Sequence, residues 1–159
     1  MQSKVTPNIQ AEERSKKGTR AAVKKLSREY RDMKNYIAYI RNKQPTLLKQ
    51  AKVDLREYES RGVVTYADYV SRFPKSDRDI IETYAKCLRG VYCLEQGILS
   101  IEDDITRAVA KETLQEGRSC EAVALEMGVT RRMVSYRKKD AENVVVKFIE
   151  GYALRNGAV

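Results

Sequence analysis

The chain has 159 residues, 42% hydrophobic and 33% charged, enough for one domain or two very small ones. It contains no histidine, which removes the commonest general base, the usual catalytic triads and most zinc sites. Its net charge of +9 is unevenly placed: 15 Lys/Arg against 7 Asp/Glu over residues 1–60 (net +8), 8 against 10 over 61–117 (net −2), and 8 against 5 over 118–159 (net +3). Two basic ends around a mildly acidic middle suggest contact with a polyanion at one or both ends.

No run approaches the roughly 18 apolar residues of a membrane span, and the N-terminus lacks a signal-peptide core. No membrane association is expected, and the compartment expected is the cytoplasm. Cys87, Cys93 and Cys120 are too few and too oddly spaced for a disulfide framework or a zinc site, and are expected as reduced, mostly buried thiols. No cofactor, metal site or enzymatic activity is expected.

Residues 1–17 carry no apolar periodicity, and Pro7 argues against an early helix, so a flexible charged lead-in is expected. From Thr19 the pattern changes. Val23, Leu26, Tyr30, Met33, Ile37 and Ile40 follow steps of 3 and 4, a seam along one side of a helix, with Lys24, Lys25, Arg28, Arg31 and Lys34 between them. The seam is under three heptads long. It either packs on its own domain or serves as a dimer interface, and Pro45 ends or follows it.

A second helix is predicted from Thr46 to about Glu59, with Leu48, Ala51, Leu55 and Tyr58 on one face and Gly62 as its stop. Residues 63–74, VVTYADYVSRFP, allow a strand but lack a partner strand, so a short helix is expected. After Pro74, Ser76 and Asp77 announce a helix in which Ile80, Ile81, Tyr84, Leu88, Val91 and Leu94 keep a helical rhythm to Gly97.

Ser100 followed by Asp103 predicts a further helix start, with Ile101, Ile105, Ala108, Val109 and Leu114 as its buried face and Gly117 as its end. The acidic run Glu102–Asp103–Asp104 fits a helix N-terminus better than a magnesium site. The expected architecture is all-α: a helical region over 18–98, with oligomerisation as one use for it, and a DNA-binding unit over 99–155.

That unit rests on EAVALEMGVTRRMVSYRKK, residues 121–139. Glycine inside a helical pattern costs about 1 kcal/mol relative to alanine. At Gly128 that cost has a purpose, because a tight helix–turn–helix needs positive φ in its turn. Ser119 opens the first helix and Thr130 caps the second. Ala124 supplies the small residue where the helices cross, and Val123, Met127, Val129 and Val134 are expected to close a small core around it. With Val134 inward, Thr130, Arg131, Arg132, Ser135, Tyr136 and Lys139 face outward, where a recognition helix meets base edges in the major groove. Arg118, Ser119, Arg137 and Lys138 are assigned to phosphates. Ala141, Val145, Phe148 and Tyr152 extend the apolar stripe, whose far end should pack on the preceding helices or a second subunit.

Residues 103–148, DDITRAVAKETLQEGRSCEAVALEMGVTRRMVSYRKKDAENVVVKF, resemble the helical module of region four of bacterial sigma factors. Residues 19–37, TRAAVKKLSREYRDMKNYI, resemble the opening helix of phage late-gene transcriptional regulators of the ArpU and RinA type. Residues 43–98 carry no resemblance. The resemblance implies a sequence-specific, phage- or prophage-encoded transcription regulator that binds double-stranded DNA, with the outward residues of the Thr130 helix reading bases. It further implies a homodimer or higher assembly, or a contact to RNA polymerase, with Val23, Leu26, Tyr30, Met33, Ile37 and Ile40 as the interface. Two alternatives stand beside it: a DNA-packaging adaptor like a phage small terminase subunit, and a polymerase- or repressor-binding protein without DNA contact.

Overall fold

The computed structural model describes the backbone of residues 5–157 and the side chains of residues 20–157. Its elements are α1 (Val5–Lys43), α2 (Pro45–Gln50), α3 (Leu55–Arg61), a 3-10 turn (Asp68–Arg72), α4 (Lys75–Leu99), α5 (Asp104–Ala110), a π-helical turn (Lys111–Gln115), α6 (Cys120–Met127) and α7 (Arg131–Asn156). The chain is all-helical, with no strand among the described residues.

Helix α1 begins well before Thr19, which corrects the expected lead-in over 1–17 from Val5 onward; residues 1–4 lie outside the described part. Pro7 falls in the first turn, where a missing N–H forfeits no intrahelical bond. The seam Val23, Leu26, Tyr30, Met33, Ile37 and Ile40 is buried within this one chain, against Tyr84, Leu88, Val91 and Leu94 of α4 and Val145, Ile149 and Tyr152 of α7. The dimer interface drawn through that seam is therefore corrected: spacing alone fits both uses, and the intramolecular one consumes the residues. Burying side chains of this kind contributes roughly 1.5–3 kcal/mol each.

The single helix expected over Thr46–Glu59 is two. Pro45 opens α2 at its first position, where proline is tolerated. The chain then turns through Lys52, the one non-glycine with positive φ (53°) among the described residues. Asp54 starts α3 by accepting from the amides of Arg56 and Glu57 at 2.9 and 3.2 Å. The break leaves Leu55 exposed rather than inward. Gly62 ends α3 in the left-handed region, as expected. The following segment carries the 3-10 turn, whose Val70 packs with Leu47, Ala51 and Ile81.

Helix α4 continues through Gly97 to Leu99. Its Tyr84 hydroxyl accepts from Arg41 Nε at 2.9 Å. At the opposite end of the chain the Tyr152 hydroxyl donates to the Gly62 carbonyl at 2.7 Å, a buried bond joining α7 to the end of α3. Ile101, Ala110, Leu114, Ala141 and Val145 share one core with α1 and α4. The division at residues 98/99 is thus not a break in packing: α7 is long enough to run from the C-terminal corner into the main core.

Candidate nucleic-acid interface

The corner is built from α5, α6 and the first half of α7. Ser100 does not open α5. It closes α4, donating its hydroxyl to the Gly97 carbonyl at 2.6 Å. The start is Asp103, whose carboxylate accepts from the Thr106 amide at 2.8 Å and hydroxyl at 2.7 Å. With that start, Thr106, Val109, Ala110, Thr113 and Leu114 turn inward, while Ile105 and Ala108 stay exposed, contrary to expectation.

Ser119 caps α6 by accepting from the Ala122 amide at 3.1 Å. Gly128 ends the helix at φ 68° and ψ 34°, and the Val129 amide returns to the Ala124 carbonyl at 3.0 Å. Thr130 then caps α7, accepting from the Met133 amide at 3.1 Å. Val109, Val123, Ala124 and Val134 form the buried centre of the corner, with Cys120 and Val129 packed against it. Met127 does not join them: it is 37% exposed at the end of α6, past the point where the helices cross. Val109, contributed by α5, is the member that local spacing over 119–139 could not reveal.

On the outer side of α7, Arg131, Arg132, Ser135, Tyr136 and Lys139 line one shallow, open depression. Tyr136 is 67% exposed, a large planar group left facing solvent. Thr130 lies beside them with its side chain used as the cap. Arg131 pairs with Glu121 across the turn at 3.0 Å, both side chains about 70% exposed; such open pairs contribute at most about 1 kcal/mol. Arg132 and Lys139 have no ion-pair partner among the described residues.

The residues expected on phosphates divide. Lys138 is half-buried, and Ser119 is exposed and engaged as a cap. Arg118 instead lies between Glu112, at 3.0 Å, and Glu126, tying the π-helical turn to α6. These bonds hold its guanidinium even more firmly protonated than usual. Arg137 reaches back to Asp103 at 2.9 Å and Thr106 Oγ1 at 3.1 Å, locking α7 to the start of α5. The Asp103 carboxyl is held below its ordinary range, first by the Thr106 amide and hydroxyl and then by the charges of Arg137 and Arg107. Arg118 and Arg137 are thus corrected from phosphate contacts to braces. Their partners sit 6 to 34 residues away, beyond what helical periodicity reveals.

Glu102, Asp103 and Asp104 do not converge, and no group of three or more His, Cys, Asp or Glu side chains that could hold a metal ion exists among the described residues. Cys87, Cys93 and Cys120 are free thiols, and burial pushes the Cys93 thiol up to about 12. No helix among the described residues is long and apolar enough to cross a membrane. Comparison with protein-family models, curated proteins and solved structures finds no match to this chain.

Proposed function

We propose that this chain is a sequence-specific DNA-binding transcription regulator, phage or prophage encoded, that reads the major groove with the first turns of α7. The observation that carries the reading is the row Arg131, Arg132, Ser135, Tyr136 and Lys139, exposed together at the free end of a helix whose other side is clamped to α5 and α6. A recognition element needs both conditions: side chains that reach base edges and a backbone that does not move when they do.

In the bound state the arginines donate in pairs to guanine O6 and N7. Ser135 donates or accepts, and the Tyr136 ring offers an apolar edge to a thymine methyl. Arg131 leaves Glu121 to do so, at little cost because the pair is open to water. Lys138 and the N-terminal side of α6 at Ser119 lie against phosphates, fixing register without reading sequence. Arg118 and Arg137 hold the frame, so their removal weakens binding through the fold rather than through lost contacts.

The α1 seam is already used within the chain, so the interface expected there is not offered to a second subunit in either the regulator or the packaging reading. A partner subunit or RNA polymerase would dock elsewhere.

The test is selection of bound duplexes from a random-sequence pool with the purified chain, followed by fluorescence anisotropy on the enriched and scrambled sequences. Arg132→Ala and Tyr136→Ala are expected to flatten the preference, by about 1–3 kcal/mol for a good base contact. Lys138→Ala should weaken every sequence alike. Absence of enrichment with the parent protein would overturn the proposal.

A further inference from the structure

On α7, Arg132, Tyr136, Lys139 and Asn143 follow at i, i+4, i+7 and i+11, one exposed face of the helix. Asn143 therefore marks where the outward row leaves the corner. Its side-chain oxygen accepts from Arg20 Nη2 of α1 at 3.0 Å. A second row begins at that point. Arg20, Lys24, Arg28 and Arg31 are all exposed along one side of α1, at successive steps of 4, 4 and 3.

The same side of α1 abuts the corner, since the Ser27 hydroxyl donates to the Leu114 carbonyl at 2.7 Å. Lys24, Arg28 and Arg31 have no ion-pair partner among the described residues, whereas Lys34, at the far end, pairs with Glu95 at 3.9 Å. The acidic side chains of this stretch, Glu29 and Asp32, fall with Lys25 toward the other edge of the helix, outside the row. Nothing in the core requires these cations. The seam that packs α1 lies on the opposite side.

We propose that Arg20, Lys24, Arg28 and Arg31 form a second binding surface, for the phosphate backbone of duplex DNA flanking the sequence read by α7. This rests on the DNA-binding reading given above. Two features favour a nucleic-acid backbone over an acidic protein. The row is straight along one side of α1, as the evenly spaced charges of a backbone require, and the Arg20–Asn143 bond joins it to the outward row of α7. Arg20 to Arg31 spans about 16 Å of helix, close to five base pairs along one strand. The recognition face would fix where the chain sits, and α1 would extend the footprint to one side without reading sequence.

The experiment uses the full chain and a random-sequence 40-base-pair duplex, so no operator need be known. Affinity is measured by anisotropy as a function of KCl concentration. Each phosphate contact contributes about 0.9 to the slope of log K against log salt. The triple variant K24A/R28A/R31A is expected to have a slope shallower by about 2.7, and Arg28→Ala alone by about 0.9. The conservative R28K/R31K should keep the parental slope, because the contacts require charge rather than shape. Circular dichroism melts of all variants should match the parent, since the substituted side chains are exposed. A triple variant with the parental slope would overturn this proposal, acidic-protein docking included among its explanations, while leaving the α7 reading intact. Failure of the parent to bind the duplex at low salt would overturn both.

Discussion

Two glycines in this chain share nearly the same backbone conformation and differ in what surrounds them, which allows backbone strain to be separated from packing. Gly128 ends α6 at φ 68° and Gly62 ends α3 at φ 69°. A Cβ added at Gly128 meets no atom within 4 Å, whereas one added at Gly62 runs into the ring of Tyr92. That ring cannot retreat easily, packed as it is at 5.9–6.3 Å from Tyr58, Phe148 and Tyr152. Gly128→Ala should therefore cost only the left-handed backbone, about 1–2 kcal/mol. Gly62→Ala should cost the same plus about 1–3 kcal/mol for overpacking. The gain from stiffening the unfolded chain is common to both and cancels in the comparison.

Urea denaturation followed by far-ultraviolet circular dichroism measures the difference. With a slope of about 2 kcal/mol per molar urea, Gly128→Ala should move the midpoint down by about 0.5–1 M, and Gly62→Ala by roughly 0.5–1.5 M more. Gly128→Asn should recover part of the loss, because asparagine visits the left-handed region more readily. Equal shifts for the two alanine variants would refute the reasoning, since they would mean that Tyr92 yields without cost. On the proposed reading, Gly128→Ala should keep the parent's behaviour toward duplex DNA, because the turn is strained rather than displaced.

The intramolecular assignment of the α1 seam predicts that Ile37→Ala lowers stability by about 2–5 kcal/mol. Its melting midpoint should respond to protein concentration over two decades just as the parent's does; a dependence present in the parent and lost in Ile37→Ala would return the seam to an interface between chains. The Asp103 carboxyl, depressed by Thr106 and Arg137, contributes stability that is complete above the ordinary carboxylate value of 3.8 and is lost as pH falls through the lower folded value. The difference in melting temperature between the parent and Asp103→Ala should thus stay constant from about pH 7 to pH 5 and shrink below about pH 4. A difference that persists unchanged in acid would show that the carboxylate charge is not what the corner uses.

The readings that sequence alone determined are those whose causes are local. Ser119, Gly128 and Thr130 mark the ends of α6 and α7 because caps and left-handed turns are set by bonds within a few residues. Val123, Ala124 and Val134 turn inward because helical spacing leaves them no other side, and Arg132, Ser135, Tyr136 and Lys139 are outward for the same reason. Tertiary structure decided the rest, where two arrangements satisfy the same spacing. The apolar row of α1 fits a second chain as well as it fits α4 and α7, and only the presence of complementary faces in the same chain selects between them. Arg118 and Arg137 resemble their neighbours in type and position, yet Glu112, Glu126 and Asp103 are carried to them by the fold and turn two cations from the surface into braces. Asp103 rather than Ser100 begins α5 because the Ser100 hydroxyl is taken by the end of α4. A periodic pattern specifies which side of a helix is apolar; what covers that side, and which charges remain free, depends on atoms brought together from distant parts of the chain.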